Sequence, residues 1–248
     1  MIINKRKLHI AELKVWFDKN QIITNKQLVS FYQTFEPDVK ETTVNWRIYN
    51  LVQMGILTRV GRGKYMLGNK HFYIPNIPNK IKTLNKKIKK QYPFTELCLW
   101  TTALYNEFML HQPGKFFLIV EVEEDATEAI FYFMKKNKYS VFLEPDKDIL
   151  NKYIPDEKET WIIKSFVSEA PTQNISGIPF PTIEKLLVDA FCDRLILNAQ
   201  QGEERDRIFK GAYEKYAIKE DTMVRYANRR RKKEEFIDYL SQLSLLRQ

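Results

Sequence analysis

The side chains best suited to chemistry cluster between Glu41 and Leu67, in the run ETTVNWRIYNLVQMGILTRVGRGKYML. Asn45, Arg47, Asn50 and Gln53 bring planar amide and guanidinium donors, with Tyr49 among them. An asparagine or glutamine amide bonds an adenine edge through two hydrogen bonds, and an arginine does the same for guanine. Arg59, Arg62 and Lys64 follow shortly after. Guanidinium and ammonium groups pair with phosphate oxygens. Base-edge donors with phosphate-pairing cations just beyond them imply contact with a nucleic acid.

Such side chains need a scaffold, and the same stretch supplies one. Val44, Ile48, Leu51 and Val52 recur at helical spacing and make one apolar stripe, leaving most of the polar residues off it. Thr42 or Thr43 is the expected N-cap, with Asp38 and Glu41 near the positive end of the helix. Gly55 is placed to end the helix in the left-handed conformation. Ile56 to Val60 alternates as a short strand, Gly61-Arg62-Gly63 makes a turn, and Lys64 to Leu67 returns as a second strand. Upstream, Lys7 to Lys19 reads as one helix, with Leu8, Ala11, Leu13, Val15, Trp16 and Phe17 on its apolar side. Lys26 to Phe35 reads as another, capped by Thr24-Asn25 and closed by Glu36-Pro37-Asp38. Three helices and a basic hairpin make a winged helix-turn-helix over residues 1–70. Its third helix enters the major groove and its wing lies on the phosphates.

Charge is divided unevenly. The chain of 248 residues has a net charge of +9, but residues 1–91 carry 18 lysines and arginines against 5 acidic residues, a net of +13. The remainder, 92–248, carries 22 against 26, a net of −4. A basic first third joined to a mildly acidic remainder marks a nucleic-acid-binding module attached to a second domain. There is no apolar run long enough to span a bilayer and no clean signal-peptide core at the N-terminus. Cys98 and Cys192 stand far apart in apolar surroundings, as buried free thiols would. A cytoplasmic protein is expected, with neither metal nor cofactor.

Residues 71–91 read as a basic linker. Pro75 and Pro78 keep its start extended, and a short helix follows with Ile81, Leu84 and Ile88 inward and six lysines outward. Residues 92–248 read as a mixed α/β domain with a small sheet and C-terminal helices. Within it Leu97 to Leu110 looks helical, with Trp100, Leu104 and Phe108 one turn apart. Lys115–Val122, Tyr139–Leu143 and Trp161–Phe166 are strands, and Thr127–Asn137 is a helix between the first two. Pro181–Leu197 is a long core helix opened by Pro181-Thr182. The last helix contains a run from Arg225 to Lys233. Arg225, Arg229, Arg230, Arg231 and Lys232 are there as a possible second nucleic-acid patch, or as a solvated face.

An enzymatic reading centres on Glu121 and Glu123. Alternate residues on a strand point the same way, so the two carboxylates could share a metal in a nuclease or nucleotidyltransferase. The phosphate-cradling Gly-Ser start that precedes such a pair in nucleotidyltransferases is missing before it. The nuclease lysine is missing too and would have to come from Lys164 on another strand. The histidines, His9, His71 and His111, are scattered, and no glycine-rich nucleotide loop is present. The reading favoured is a protein without catalytic residues, and the alternative is a metal-dependent nuclease or nucleotidyltransferase-like enzyme carrying a DNA-targeting domain. A third reading makes the chain an adaptor whose basic face meets an acidic protein.

Two stretches resemble the AbiEi-type antitoxins of type IV toxin–antitoxin, or abortive-infection, systems. One is Trp46-Arg47-Ile48-Tyr49 with Leu51-Val52, Gly55-Ile56-Leu57 and Arg59 to Tyr65; the other is Pro181 to Asp189. The layout, a short winged helix before a larger α/β domain, is similar too. The resemblance implies a transcriptional autorepressor that binds inverted repeats in double-stranded DNA upstream of its operon. It also implies an antitoxin role in phage defence, against a nucleotidyltransferase-like toxin that it need not touch. Carried over residue by residue, it implies DNA contacts at Thr43, Asn45, Trp46, Arg47 and Asn50 on the helix, and at Arg59, Arg62 and Lys64 on the wing. Trp46 either stacks on the sugar or belongs to the core.

Overall fold

The computed structural model describes residues 8–18, 21–68, 73–153 and 159–245. They form two compact units. The first gathers the described residues up to 68 with Tyr213–Asp221; the second is Tyr73–Ala212 with residues 222–245.

In the first unit the order is α1 (Ile10–Trp16), β1 (Ile23–Thr24), α2 (Asn25–Gln33), α3 (Glu41–Gln53), β2 (Leu57–Gly61) and β3 (Lys64–Leu67). Thr24 caps α2 with a reciprocal box, since its hydroxyl accepts from the Gln27 amide while the Gln27 side chain accepts from the Thr24 backbone N–H. The cap of α3 differs from expectation. Lys40 occupies it without a side-chain bond, so Thr42 and Thr43 lie inside the first turn. The other end follows the sequence rule: Gly55 has φ +69°, the Ile56 N–H bonds the Leu51 carbonyl and the Gly55 N–H bonds that of Val52. β2 and β3 pair antiparallel, and β1, which the sequence reading did not anticipate, adds to β3. Leu8, Leu13, Phe17, Phe31, Tyr32, Val44, Ile48 and Leu51 pack as one core beneath the helices. Val15 and Trp16, assigned to the apolar side of the first helix, are exposed.

The second unit is built on a four-stranded sheet in the order β4 (Leu97–Thr101), β5 (Phe117–Val122), β7 (Thr160–Ser165), β6 (Val141–Leu143). β5, β7 and β6 run parallel, and β4 pairs antiparallel with β5. α5 (Thr127–Lys136) joins β5 to β6, and α6 (Lys147–Lys152) leads to β7. The expected helix over 97–110 is thus a strand followed by a 3-10 turn over Thr102–Glu107. All five residues of β4 are buried, and a strand covered on both faces reads as an unbroken apolar run that periodicity cannot separate from a helix. α4 (Asn79–Gln91) buries Ile81, Leu84, Asn85 and Ile88 within this unit.

A hairpin of β8 (Thr172–Ile175) and β9 (Ile178–Pro181) had no counterpart in the sequence reading. Ser176 and Gly177 turn it with φ +53° and +82°, the sign that a tight two-residue hairpin turn needs at both positions. Pro181 therefore ends a strand, and α7 (Ile183–Cys192) begins after Thr182, whose hydroxyl accepts from the Lys185 N–H. α7 is shorter than expected because Asp193 leaves helical geometry at its end. α8 (Glu203–Lys215), α9 (Glu220–Arg229) and α10 (Lys233–Gln242) complete the chain. Both units are mixed helix and sheet, and among the described residues no helix is long and apolar enough to cross a membrane.

Candidate nucleic-acid interface

α3 shows one face to solvent and one to the core. Val44, Arg47, Ile48, Asn50 and Leu51 are buried. Thr42, Asn45, Trp46, Tyr49 and Gln53 are exposed, at the three- and four-residue steps of a single helix face. Trp46 is 44% exposed and Tyr49 61%, so the indole belongs to the surface and not to the core. The Asn45 side-chain oxygen Oδ1 accepts from the Asn25 side-chain amide at 3.2 Å, which ties this face to the start of α2.

Two residues expected in the groove point elsewhere. Arg47 is 2% exposed. Its guanidinium donates to both Glu36 carboxylate oxygens at 2.9 and 2.8 Å and lies 4.8 Å from the Tyr32 ring centroid. Tyr32 itself donates to the Leu8 carbonyl, and burial, against the opposing pull of Arg47, pushes its hydroxyl up to about 12. Asn50 is buried and donates to the Trp46 carbonyl at 2.7 Å. The reason was present in the sequence. Position 47 is three residues after Val44 and four before Leu51, so it falls on the apolar stripe, where a long side chain can lie along the core and reach an acid at its edge. The same counting adds Thr42, Tyr49 and Gln53 to the exposed face. Removing the guanidinium leaves Glu36 half-exposed and hydrated, not stranded. Arg47→Met should therefore cost about 1.5–3 kcal/mol, the range for a charge-assisted hydrogen bond, read as a lower urea midpoint of the first unit.

The β2–β3 hairpin keeps its cations outward. Arg59, Arg62 and Lys64 are exposed. Arg59 Nε donates to the Gly61 carbonyl at 3.2 Å, and Lys64 Nζ stands 4.0 Å from Asp221 across an exposed pair. Gly63 at φ +66° makes the tight return, and its carbonyl accepts from the Asn25 N–H. Thr43 is exposed in the first turn of α3.

In the second unit the candidate acidic pair separates. Glu121 is buried on β5, with Lys185 Nζ at 2.9 and 2.7 Å from its two oxygens and the Trp100 indole N–H at 3.2 Å. β5 ends at Val122, and Glu123 beyond it is exposed and accepts from the Glu96 N–H at 2.7 Å. Lys185 also pairs with Asp189 one turn along α7. Asp189 accepts from the Tyr226 hydroxyl at 3.0 Å and from Arg230 at 2.8 Å. Burial opposes the charge on Lys185, but the Asp189 and Glu121 carboxylates outweigh it and hold the ammonium above the ordinary lysine range. Burial likewise raises Asp189, and Lys185, Arg230 and Lys164 overcome it, leaving its carboxyl below the ordinary range. Lys164, considered as a catalytic lysine, pairs with Asp193. Among the described residues no three histidine, cysteine or acidic side chains are grouped as metal ligands would be. The arrangement is a closed, charge-balanced clamp that joins β5, α7 and α9.

The second basic run does not lie on one helix. α9 stops at Arg229, Arg231 takes φ +56°, and α10 starts at Lys233. Arg230 turns inward to Asp189, Arg229 pairs with Glu169, which also lies 4.0 Å from Arg225, and Lys232 pairs with Glu235 at 2.8 Å. Arg231 is exposed at the turn.

Residues 43–245 match a family of unknown function, DUF6577. The matched span starts within α3 and runs through the β2–β3 hairpin and the second unit. No curated protein matches the chain.

Proposed function

We propose that this chain, which belongs to the DUF6577 family, is a DNA-binding transcriptional regulator whose first unit works as a winged helix-turn-helix. The observation that carries the proposal is the pairing of an exposed polar face on α3 with three outward cations on the wing. Asn45 and Gln53 are amides able to read base edges, Tyr49 and Trp46 flank them, and Arg59, Arg62 and Lys64 suit the adjoining phosphates. The excess of cations over residues 1–72, 12 lysines and arginines against 5 acidic residues, gives the long-range attraction that such binding needs. Arg47 and Asn50 support the helix from within.

The sequence resemblance to AbiEi-type antitoxins extends the reading to a cytoplasmic autorepressor that counters a toxin. The clamp around Lys185 lies on the second of the two resembling stretches and would hold the antitoxin domain together without taking part in a reaction. The enzymatic alternative is less favoured, because both Glu121 oxygens already accept hydrogen bonds from Lys185 and Trp100.

The test is binding to the duplex upstream of the chain's own gene, beside a scrambled duplex of equal length. Wild type should prefer the upstream duplex by a factor of about 10³ or more. Asn45→Ala with Gln53→Ala should reduce that preference by about 1–3 kcal/mol per lost base contact while leaving binding to the scrambled duplex intact. Equal affinity of wild type for both duplexes would sink the regulator reading.

A further inference from the structure

The second unit contains a cavity of about 650 Å³ to which nothing above assigns a role. Its size lies within the range of small-molecule sites. Three cations line it from three separate parts of the chain: Lys115 ahead of β5, Lys147 in the first turn of α6, and Arg194 just past α7. None of the described residues lining it is acidic. Cations converging on one concavity from three parts of the chain give a bound anion a favourable field.

The rest of the lining narrows the class of anion. Phe117, Leu150 and Leu195 provide apolar surface. An aromatic ring beside aliphatic side chains suits one face of a flat ring system. Gln200 is buried at the wall, and its amide nitrogen reaches the Met109 sulfur at 3.7 Å. A thioether is a weak acceptor, so that amide can exchange it for a better one on a ligand. Arg194 adds a planar fork that matches phosphate oxygens in pairs.

We infer that this cavity binds a small phosphate-bearing ligand with a flat heterocyclic part, of the nucleoside phosphate class. The phosphate sits among Lys115, Lys147 and Arg194, the ring lies on Phe117 and Leu195, and the Gln200 amide meets the ring edge. The site does not rest on the DNA-binding reading, since all of its residues belong to the second unit.

Calorimetric titration of the full chain with AMP, GMP, CMP, UMP and inorganic phosphate tests this without any DNA present. At least one nucleotide should bind about tenfold tighter than inorganic phosphate. The double variant Lys147→Ala/Arg194→Ala should weaken that nucleotide by about tenfold or more, in line with the loss of charge-assisted bonds. Lys136→Ala, an exposed lysine on α5 outside the cavity, should change nothing. Lys147 and Arg194 are exposed, so the double variant is expected to fold, and a circular dichroism melt checks it. If no nucleotide binds at millimolar concentration, if phosphate alone binds as well as the nucleotides, or if a folded double variant binds like wild type, the inference is wrong.

Discussion

Lys185→Met should be the most damaging single substitution in the second unit, lowering its stability by about 3–5 kcal/mol, the range for breaking a buried ion pair from one side. The lysine is fully buried with its ammonium between Glu121 and Asp189. Methionine fills much of the same space, so little cavity is made and the cost is electrostatic. It strands the Glu121 carboxylate against the Trp100 N–H alone and leaves Asp189 to Tyr226 and Arg230. Urea denaturation followed by tryptophan emission reads it directly, because Trp100 and Trp161 are both buried in this unit. The double variant Glu121→Leu/Lys185→Met should recover a large part of the loss, since removing both partners removes the stranded charge. If Lys185→Met cost under about 1 kcal/mol, the range of an exposed pair, water would have to reach the clamp.

The same clamp sets a pH window. Asp189 titrates below its ordinary range in the fold, so its contribution is present above the unfolded carboxylate value near 3.9 and is lost as pH falls through the folded one. Lys185 titrates above its ordinary range, so its contribution is present below about 10.4 and is lost as pH rises past the folded value. The cost of Lys185→Met should accordingly be flat across neutral pH and shrink at the acid end, where Asp189 takes up a proton.

How far the sequence revealed these features depended on how local the cause was. Gly55, the Thr24 cap and the basic hairpin were readable because each is set within a few residues: a left-handed carbon, a hydroxyl bonded to the N–H three residues on, a glycine turn. β4 was misread because its burial comes from chain brought against it on both faces, which leaves no alternation. The β8–β9 hairpin was missed although Ser176-Gly177 could have signalled it, because Pro179 and Pro181 argue against a strand. The clamp could not be found by spacing alone. Lys185 and Asp189 are one turn apart on α7, but Glu121 joins them across 64 positions and Arg230 across 41. The face of α3 lies between these cases. Arg47 was expected off the apolar stripe, yet it stands three residues after Val44 and four before Leu51, and the fold buries it.

The wing offers the sharpest separation of binding from folding. The triple variant Arg59→Ala/Arg62→Ala/Lys64→Ala should lower affinity for any duplex by about a hundredfold or more near 0.1 M salt, and should flatten the plot of log affinity against log salt by about three units, one per lost phosphate contact. All three side chains are exposed, so the melting temperature should hardly move. Their loss should also spare the preference between upstream and scrambled duplexes, because phosphate contacts carry no sequence information. Arg47→Met should behave in the opposite way. It weakens the first unit through Glu36 and Tyr32, and where the protein is folded the salt slope should stay as in wild type. A triple variant that kept the wild-type slope would place the phosphates somewhere other than the wing. An Arg47 variant that stayed fully stable but lost discrimination between duplexes would return that guanidinium to the groove.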